Sequence, residues 1–200
     1  ENISVAYIAT AIKQKGHTAK VAFDRALFDD KQYFFVKFLA DLFNQKQKMI
    51  DEIIKDKPDV LAMSVFADNY QWSLDVVRKV REKLPNCLTV WGGIHPTTVP
   101  EEVISQDEVD FVVIGDGELP MVKLLDALGN GQKFDDVPNL WFKKDGEIFS
   151  GKHTYLNEEG SFPIPDKNVF ENFIPMEEYY LTVTNKGCIQ KCSFCSENFK

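Results

Sequence analysis

Residues 59–67, 88–92 and 110–114 are almost uninterruptedly apolar, and each run is followed by a segment whose apolar residues recur every three to four positions. A strand repeats its side-chain direction every second residue and a helix about every 3.6, so neither pattern can stand in for the other. Short apolar runs without polar alternation are strands covered on both faces. Alternating with helices, they call for a parallel sheet with helices above and below it and right-handed crossovers. The expected fold class is therefore α/β, a doubly wound parallel sheet of the flavodoxin or Rossmann-like kind. Ligands of such sheets bind at the carboxyl ends of the strands.

The rest of the chain fits around that pattern. Ile3, Val5, Ala6, Ile8, Ala9 and Ile12 lie at helical spacing, with Gly16 as the stop, and residues 18–24 read as a strand. Apolar pairs recurring over residues 29–55 predict one long helix, or two broken near 44–47, closed by Pro58; its Phe-rich part, Phe34 to Phe43, is expected in the core. Asp68 or Asn69 is placed to cap a helix whose inner face is Tyr70, Leu74, Val77, Val80 and Leu84. A short helix follows Pro100, and residues 119–128 form another that ends at Gly129. Residues 140–143 and 148–151, around Asp145-Gly146, make a hairpin. Residues 155–175 read as a linker, and 179–184 as the first strand of a truncated βα barrel. The expected organisation is an α/β domain over 1–133, hairpin and linker over 134–178, and the start of a barrel over 179–200.

The 200 residues are 44% hydrophobic, enough for one good core and an appendage, and carry a net charge of -8. With no Lys/Arg stripe, that charge argues against a nucleic-acid surface. No apolar run is long enough to span a bilayer, and no signal peptide is visible. Four cysteines, three of them clustered, fit a reducing cytoplasm better than a disulfide framework. A chain that begins at Glu1 and stops five residues after its last Cys reads as a fragment of something larger.

Cys188, Cys192 and Cys195 stand in a C-x3-C-x2-C spacing within eight residues. Only a loop can bring such thiols to one point. Soft thiolates in a Cys-poor chain favour an iron–sulfur cluster or zinc over a disulfide. A cluster held by three cysteines leaves one iron open to substrate or cofactor. With Phe194 just before the third Cys, the motif resembles the signature of radical S-adenosylmethionine enzymes. The resemblance implies that Cys188, Cys192 and Cys195 hold a 4Fe-4S cluster, that the open iron binds S-adenosylmethionine, and that Phe194 lies near its adenine.

No dinucleotide fingerprint or phosphate-binding loop follows any strand; Gly115-Asp116-Gly117 lacks the third glycine. Residues 3–131 instead resemble the cobalamin-binding domain that precedes the barrel in many radical S-adenosylmethionine enzymes. The matching stretches are Val5-Ala6-Tyr7-Ile8-Ala9 with Gly16-His17, Pro58 to Ser64, Trp91-Gly92-Gly93-Ile94-His95-Pro96-Thr97, and Gly115-Asp116-Gly117-Glu118. By that resemblance Ser64, Gly92, Gly93, His95, Gly115, Gly117 and Glu118 contact cobalamin. Ser64 would hydrogen-bond the nucleotide tail, and Gly92 and Gly93 would let it pass where a Cβ would clash. Each has a plainer reading: a satisfied strand hydroxyl for Ser64, a strand-end turn for the glycines, a backbone-bonded loop His for His95, and a first-turn carboxylate complementing the helix dipole for Glu118. His17 and His153 read as solvated turn residues, and Cys87 as a buried thiol.

Two departures from the family matter. Asp24-Arg25-Ala26-Leu27-Phe28-Asp29 lacks the His and Gly of the Asp-x-His-x-x-Gly motif that gives cobalt a lower ligand, so the base is expected off cobalt with no His in its place. The family also has a strand before its first helix, which this chain lacks. The implied function is a cobalamin-dependent radical S-adenosylmethionine methyltransferase acting on an unactivated carbon or phosphorus of a small molecule, with an electron donor such as flavodoxin or ferredoxin. The alternatives are a rearrangement or cyclisation enzyme, and a cobalamin-binding module whose Cys triad holds zinc or nothing. The 200 residues alone are expected to be inactive.

Overall fold

The computed structural model describes residues 3–24, 29–30, 34–152, 164–171, 190, 192–193 and 195. Helix α1 (Ile3–Gln14) opens the chain, followed by the two-residue strands β1 (Asp29–Asp30) and β2 (Phe34–Phe35), which pair antiparallel. Then come α2 (Lys37–Leu42), α3 (Lys46–Asp56), β3 (Val60–Ser64), α4 (Tyr70–Arg81) and β4 (Leu88–Gly92). The remainder is α5 (Ile94–Thr98), α6 (Pro100–Ile104), β5 (Phe111–Val113), α7 (Glu118–Asn130), the hairpin strands β6 (Leu140–Lys144) and β7 (Glu147–Ser150), and a 3-10 turn over Lys167–Phe170.

Five strands form one sheet in the order β3-β4-β5-β6-β7. β3, β4 and β5 are parallel, and the hairpin continues the sheet antiparallel, with Val112 opposite Trp141. Helices cover both faces. On one face α1 and α7 pack over Val90, Phe111, Val113, Leu140 and Phe142. On the other, α4 and α6 cover Val65, Trp91 and Val112, with α3 beside α4 and packed with it against Leu61 and Met63 of β3. The expected doubly wound α/β sheet is present. Leu140, Trp91 and Val112 are fully enclosed, each worth about 1.5–3 kcal/mol by burial of its side chain.

The amino end of the sheet is closed by polar bonds. Thr89 donates from its hydroxyl to the Glu108 carbonyl at 2.6 Å and from its amide to Asp110 at 2.7 Å, while Arg81 bonds the same Asp110 carboxylate. Cys87 lies buried beside this network, and burial pushes its thiol pKa up. The carboxyl end carries the glycines.

Several expectations are corrected. Residues 18–24 form no strand; His17, Ala19 and Val21 are half-buried and the residues between them exposed, but no described strand pairs with the segment. Alternation alone makes an extended chain, and a ladder needs a neighbour. The stretch expected to be helical from residue 29 begins instead with the strands β1 and β2; from Lys37 on it is two helices, as the second alternative had it, with residues 43–45 between them, and Phe38, Leu42 and Phe43 are exposed rather than in the core, since it is α3 that packs on α4. The segment after β4, read from its motif as a loop, turns into the short helix α5. Part of the stretch read as linker sits on α1: the Asp166 amide donates to the Thr10 hydroxyl at 2.7 Å, Lys13 pairs with its carboxylate at 3.1 Å, and Phe170 is buried. His153 lies outside the described residues.

Candidate functional site

Ser64 and Gly92 are partners on the last rung of the β3–β4 ladder. Leu61, Met63 and Val65 belong to the cluster under α4, so by strand alternation Ser64 and Gly92 face the α1/α7 side, where Val60 and Val90 pack. Ala62, between Val60 and Ser64 on that side, is exposed. The floor there is therefore small and partly uncovered: Ala62, Ser64 and a glycine. A Cβ on Gly92 would sit 3.6 Å from the Val113 carbonyl, an ordinary contact, so nothing among the described residues requires glycine at this position.

Gly93 differs. Its φ is +105°, and a Cβ there would lie 2.7 Å from the Val65 carbonyl oxygen. The β3 and β4 ends are stitched at this point, the Val65 amide donating to Gly92 at 2.8 Å and the His95 amide to Val65 at 3.2 Å. Gly93 is glycine so that two backbones can close. Beyond it Thr97, which is buried, donates from its hydroxyl to the Gly93 carbonyl at 2.7 Å and accepts from the Gly115 amide at 3.0 Å. One side chain thus joins the loop after β4 to the loop after β5. In that second loop Gly115 has φ +67°, and a Cβ on Gly117 would meet Ile8 of α1 at 2.9 Å. Glu118 occupies the first turn of α7.

Asn69 does not cap α4 with its side chain. Its Oδ1 accepts from the Phe66 amide at 2.9 Å and its Nδ2 donates to the Ser64 carbonyl at 3.3 Å, which folds residues 64–69 back on themselves. Behind this loop Tyr70 packs tilted on His95, ring centroids 4.6 Å apart, and edge-on to Trp91 at 6.0 Å. Tyr70 Oη, Trp91 Nε1 and His95 Nε2 are buried without a hydrogen-bond partner among the described residues. Burial, reinforced by Glu102 and Glu108, pushes the Tyr70 hydroxyl pKa up, so it stays protonated and able to donate.

Ser64, Gly92, Gly93, His95, Gly115, Gly117 and Glu118 therefore converge at the carboxyl ends of three adjacent parallel strands. Model comparison identifies the same part of the chain: the B12 binding domain family matches residues 1–125. The chain belongs to the B12-binding domain family. Among curated relatives, the cobalamin-dependent radical SAM methyltransferase TokK of Streptomyces tokunonensis is 31% identical over 159 residues, 74% of this chain and 23% of that protein. The anaerobic magnesium-protoporphyrin IX monomethyl ester cyclase of Cereibacter sphaeroides is 26% identical over 203 residues, covering 96% of this chain and 31% of the relative. Among solved structures, the cobalamin-dependent S-adenosylmethionine radical enzyme OxsB superposes with a TM-score of 0.65 at 14% identity, covering 84% of this chain and 22% of that one. The chain thus spans between about a quarter and a third of the curated relatives' length, 23% and 31% in these two cases.

The B12-binding domain fits its cofactor on its own evidence. The floor beside Ser64 is small and partly open, Gly92 is glycine without an internal need for it, and the strand-end loops are tied together by Thr97 rather than by bulky side chains. Sequence inspection missed Thr97 and Asn69 as organisers. Thr97 stood inside a quoted motif, but hydroxyl bridges between loops leave no periodic trace, and Asn69 was read as a helix cap.

The cysteine motif is partly described. The Cys195 amide donates to the Cys192 carbonyl at 3.1 Å, so a turn joins these two half-buried residues, as a ligand loop requires. Cys188 and Phe194 lie outside the described residues.

Proposed function

We propose that this chain binds cobalamin, with the nucleotide tail laid over Ala62, Ser64 and Gly92 and its base off cobalt, and that Cys188, Cys192 and Cys195 hold a 4Fe-4S cluster whose open iron takes S-adenosylmethionine. The parent enzyme is then a methyltransferase acting on an unactivated carbon or phosphorus of a small molecule. The observation that carries this is the pairing of Ser64 with a Gly92 that the fold itself does not demand, in a chain ending in the three-cysteine motif. When bound, the cluster and S-adenosylmethionine supply a radical, and cobalamin supplies a transferable methyl group. The chain's part is to bind and orient. Ser64 offers a hydroxyl at the floor, Gly92 leaves the space, Thr97 holds the two flanking loops at fixed separation, and Phe194 lies near the adenine. Gly115, Gly117, Glu118 and the backbone at His95, whose ring packs on Tyr70, line the same end and complete the cobalamin site. An electron donor such as flavodoxin or ferredoxin and a reducing cytoplasm complete the scheme; no described helix is long and apolar enough to cross a membrane.

Anaerobic titration with hydroxocobalamin, followed by visible spectra and desalting, tests the first half. Retention with a base-off spectrum supports it, and failure to bind overturns it. A cyclisation or rearrangement enzyme is the second reading, favoured by the cyclase relative that matches 96% of the chain. The intact enzyme separates the two: a methyltransferase forms S-adenosylhomocysteine alongside 5′-deoxyadenosine, whereas the second reading gives the latter alone.

A further inference from the structure

Helix α1 is buried on more than one side. Ala6, Tyr7, Ala9, Thr10 and Ile12 are all buried, whereas a helix that covers a sheet with a single stripe leaves its outer face to solvent. Ile8 and Ile12 pack into the cluster shared with α7 and the sheet. By helical spacing Ala6, Thr10 and Lys13 share the opposite face. That outer face is taken by Asp166 and the 3-10 turn that follows it. The Asp166 amide donates to the Thr10 hydroxyl at 2.7 Å, and this hydroxyl donates in turn to the Ala6 carbonyl at 2.7 Å. The Asp166 carboxylate accepts from Lys13 at 3.1 Å and from the Asn168 amide at 3.1 Å, so one side chain both docks the turn and caps it. Phe170, at the end of the turn, is 2% exposed. The ion pair is about a third exposed on both sides and adds little, so the hold rests on Phe170 and on the bond to Thr10. On its inner face α1 meets the candidate site: Ile8 lies 2.9 Å from where a Cβ on Gly117 would stand, in the loop between β5 and α7.

We propose that residues 166–170 brace the cobalamin site from outside: they hold α1 against the loop after β5, and through Ile8 and Gly117 they keep that loop in its binding position. This rests on the cobalamin assignment above and extends the binding unit beyond residues 1–125, the part that matches the family. Phe170 and Asp166 are then positioning residues that touch no cofactor. Coupling of this kind is reciprocal: whatever factor the brace adds to cobalamin affinity, cobalamin adds to the closing of the brace.

The full chain tests both directions. Hydroxocobalamin is titrated into the wild type, Phe170→Ala and Asp166→Ala, with circular dichroism to check that each is folded. Affinity is expected to fall about fivefold in Phe170→Ala, the lower end of couplings between sites, and less in Asp166→Ala, which keeps the aromatic anchor. Phe170→Leu should recover most of the loss. A residue that only stabilises the fold leaves the affinity of the folded chain unchanged. For the reverse direction, amide exchange over residues 164–171 is followed by mass spectrometry with and without hydroxocobalamin. Exchange is expected to be slow in the free chain and about fivefold slower with cobalamin bound. This second experiment needs no variant, so it decides even where Phe170→Ala does not fold. Wild-type affinity in a folded Phe170→Ala, or exchange indifferent to bound cobalamin, overturns the brace and leaves the cobalamin assignment standing. Exchange in the free chain as fast as in an unfolded one also overturns it. If the wild-type chain retains no cobalamin, both fall together.

Discussion

Ser64 and Gly92 face each other on the last rung of the β3–β4 ladder, one bringing a hydroxyl and the other no side chain. Gly92 and Gly93 are neighbours in sequence, yet they are glycines for different reasons. At Gly93 the chain's own backbone forbids a Cβ, whereas at Gly92 it does not.

Alanine at the two positions should therefore part company. Gly92→Ala is expected to leave stability unchanged or raise it by about 0.4–1 kcal/mol, while weakening cobalamin retention about tenfold, equivalent to roughly 1.4 kcal/mol. Gly93→Ala should cost about 1–3 kcal/mol in folding through backbone strain, before any effect on binding. Urea melts and cobalamin titrations of both variants check this; a Gly92→Ala protein that binds as tightly as wild type would remove Gly92 from the site.

Thr97→Val keeps the shape of the side chain and removes the bridge between Gly93 and Gly115. The Gly115 amide loses its partner while the Gly93 carbonyl keeps the Thr97 amide, so a loss of about 1–3 kcal/mol is expected, with weaker cobalamin binding because the loops after β4 and β5 separate. Thr97→Ser should recover most of both. Equal stability of Thr97→Val and wild type would show that the bridge contributes nothing.

Acid should loosen the contact between α3 and α4. The Lys46 ammonium, bonded to Asp75 and lying 5.4 Å from the Trp72 ring centre, holds the Asp75 carboxyl below its usual range, against a smaller opposing effect of burial. A depressed carboxylate stabilises above its unfolded value, near pH 3.9, and that stability is lost as pH falls through the lower folded value. Asp75 is half-exposed, so the pair is worth less than about 1 kcal/mol. Lys46→Met should be less stable than wild type at neutral pH, and the gap should narrow as pH falls from about 5 to about 2. Denaturation across that range decides; a constant gap would assign the effect to packing alone.

Substituting Cys192 or Cys195 with Ala should abolish iron and sulfide in anaerobically reconstituted protein while leaving cobalamin retention within about twofold of wild type, since the two sites draw on separate segments. Zinc at one per chain without sulfide in the wild type would replace the cluster with a structural metal.

The parallel strands were legible in the sequence because 60–64, 88–92 and 111–113 are apolar on both sides, and the glycine-bearing loops because they terminate those strands. What was not legible depends on partners distant in sequence. Residues 18–24 have the alternation of a strand, but pairing is a property of two segments. Phe38 and Leu42 have the spacing of a buried stripe, but burial depends on a helix long enough to meet α4. Asn69 has the identity and place of a cap, but its carboxamide goes back to Phe66 and Ser64. Within the site, strand alternation located Ser64 and Gly92, while Gly93 took its glycine from Val65, a clash no one-dimensional pattern records.

The seating of Asp166 on Thr10 shortens a leash. Counted from Lys152, the chain leading to Cys188 could stretch roughly 120 Å; counted from Glu171, where the docked turn ends, it spans at most roughly 60 Å. The root of that leash is fastened to α1, the helix whose Ile8 fills the space a Cβ on Gly117 would take. Residue 171 is thus fixed relative to α1, and the reach of residue 188 is measured from that helix rather than from the hairpin.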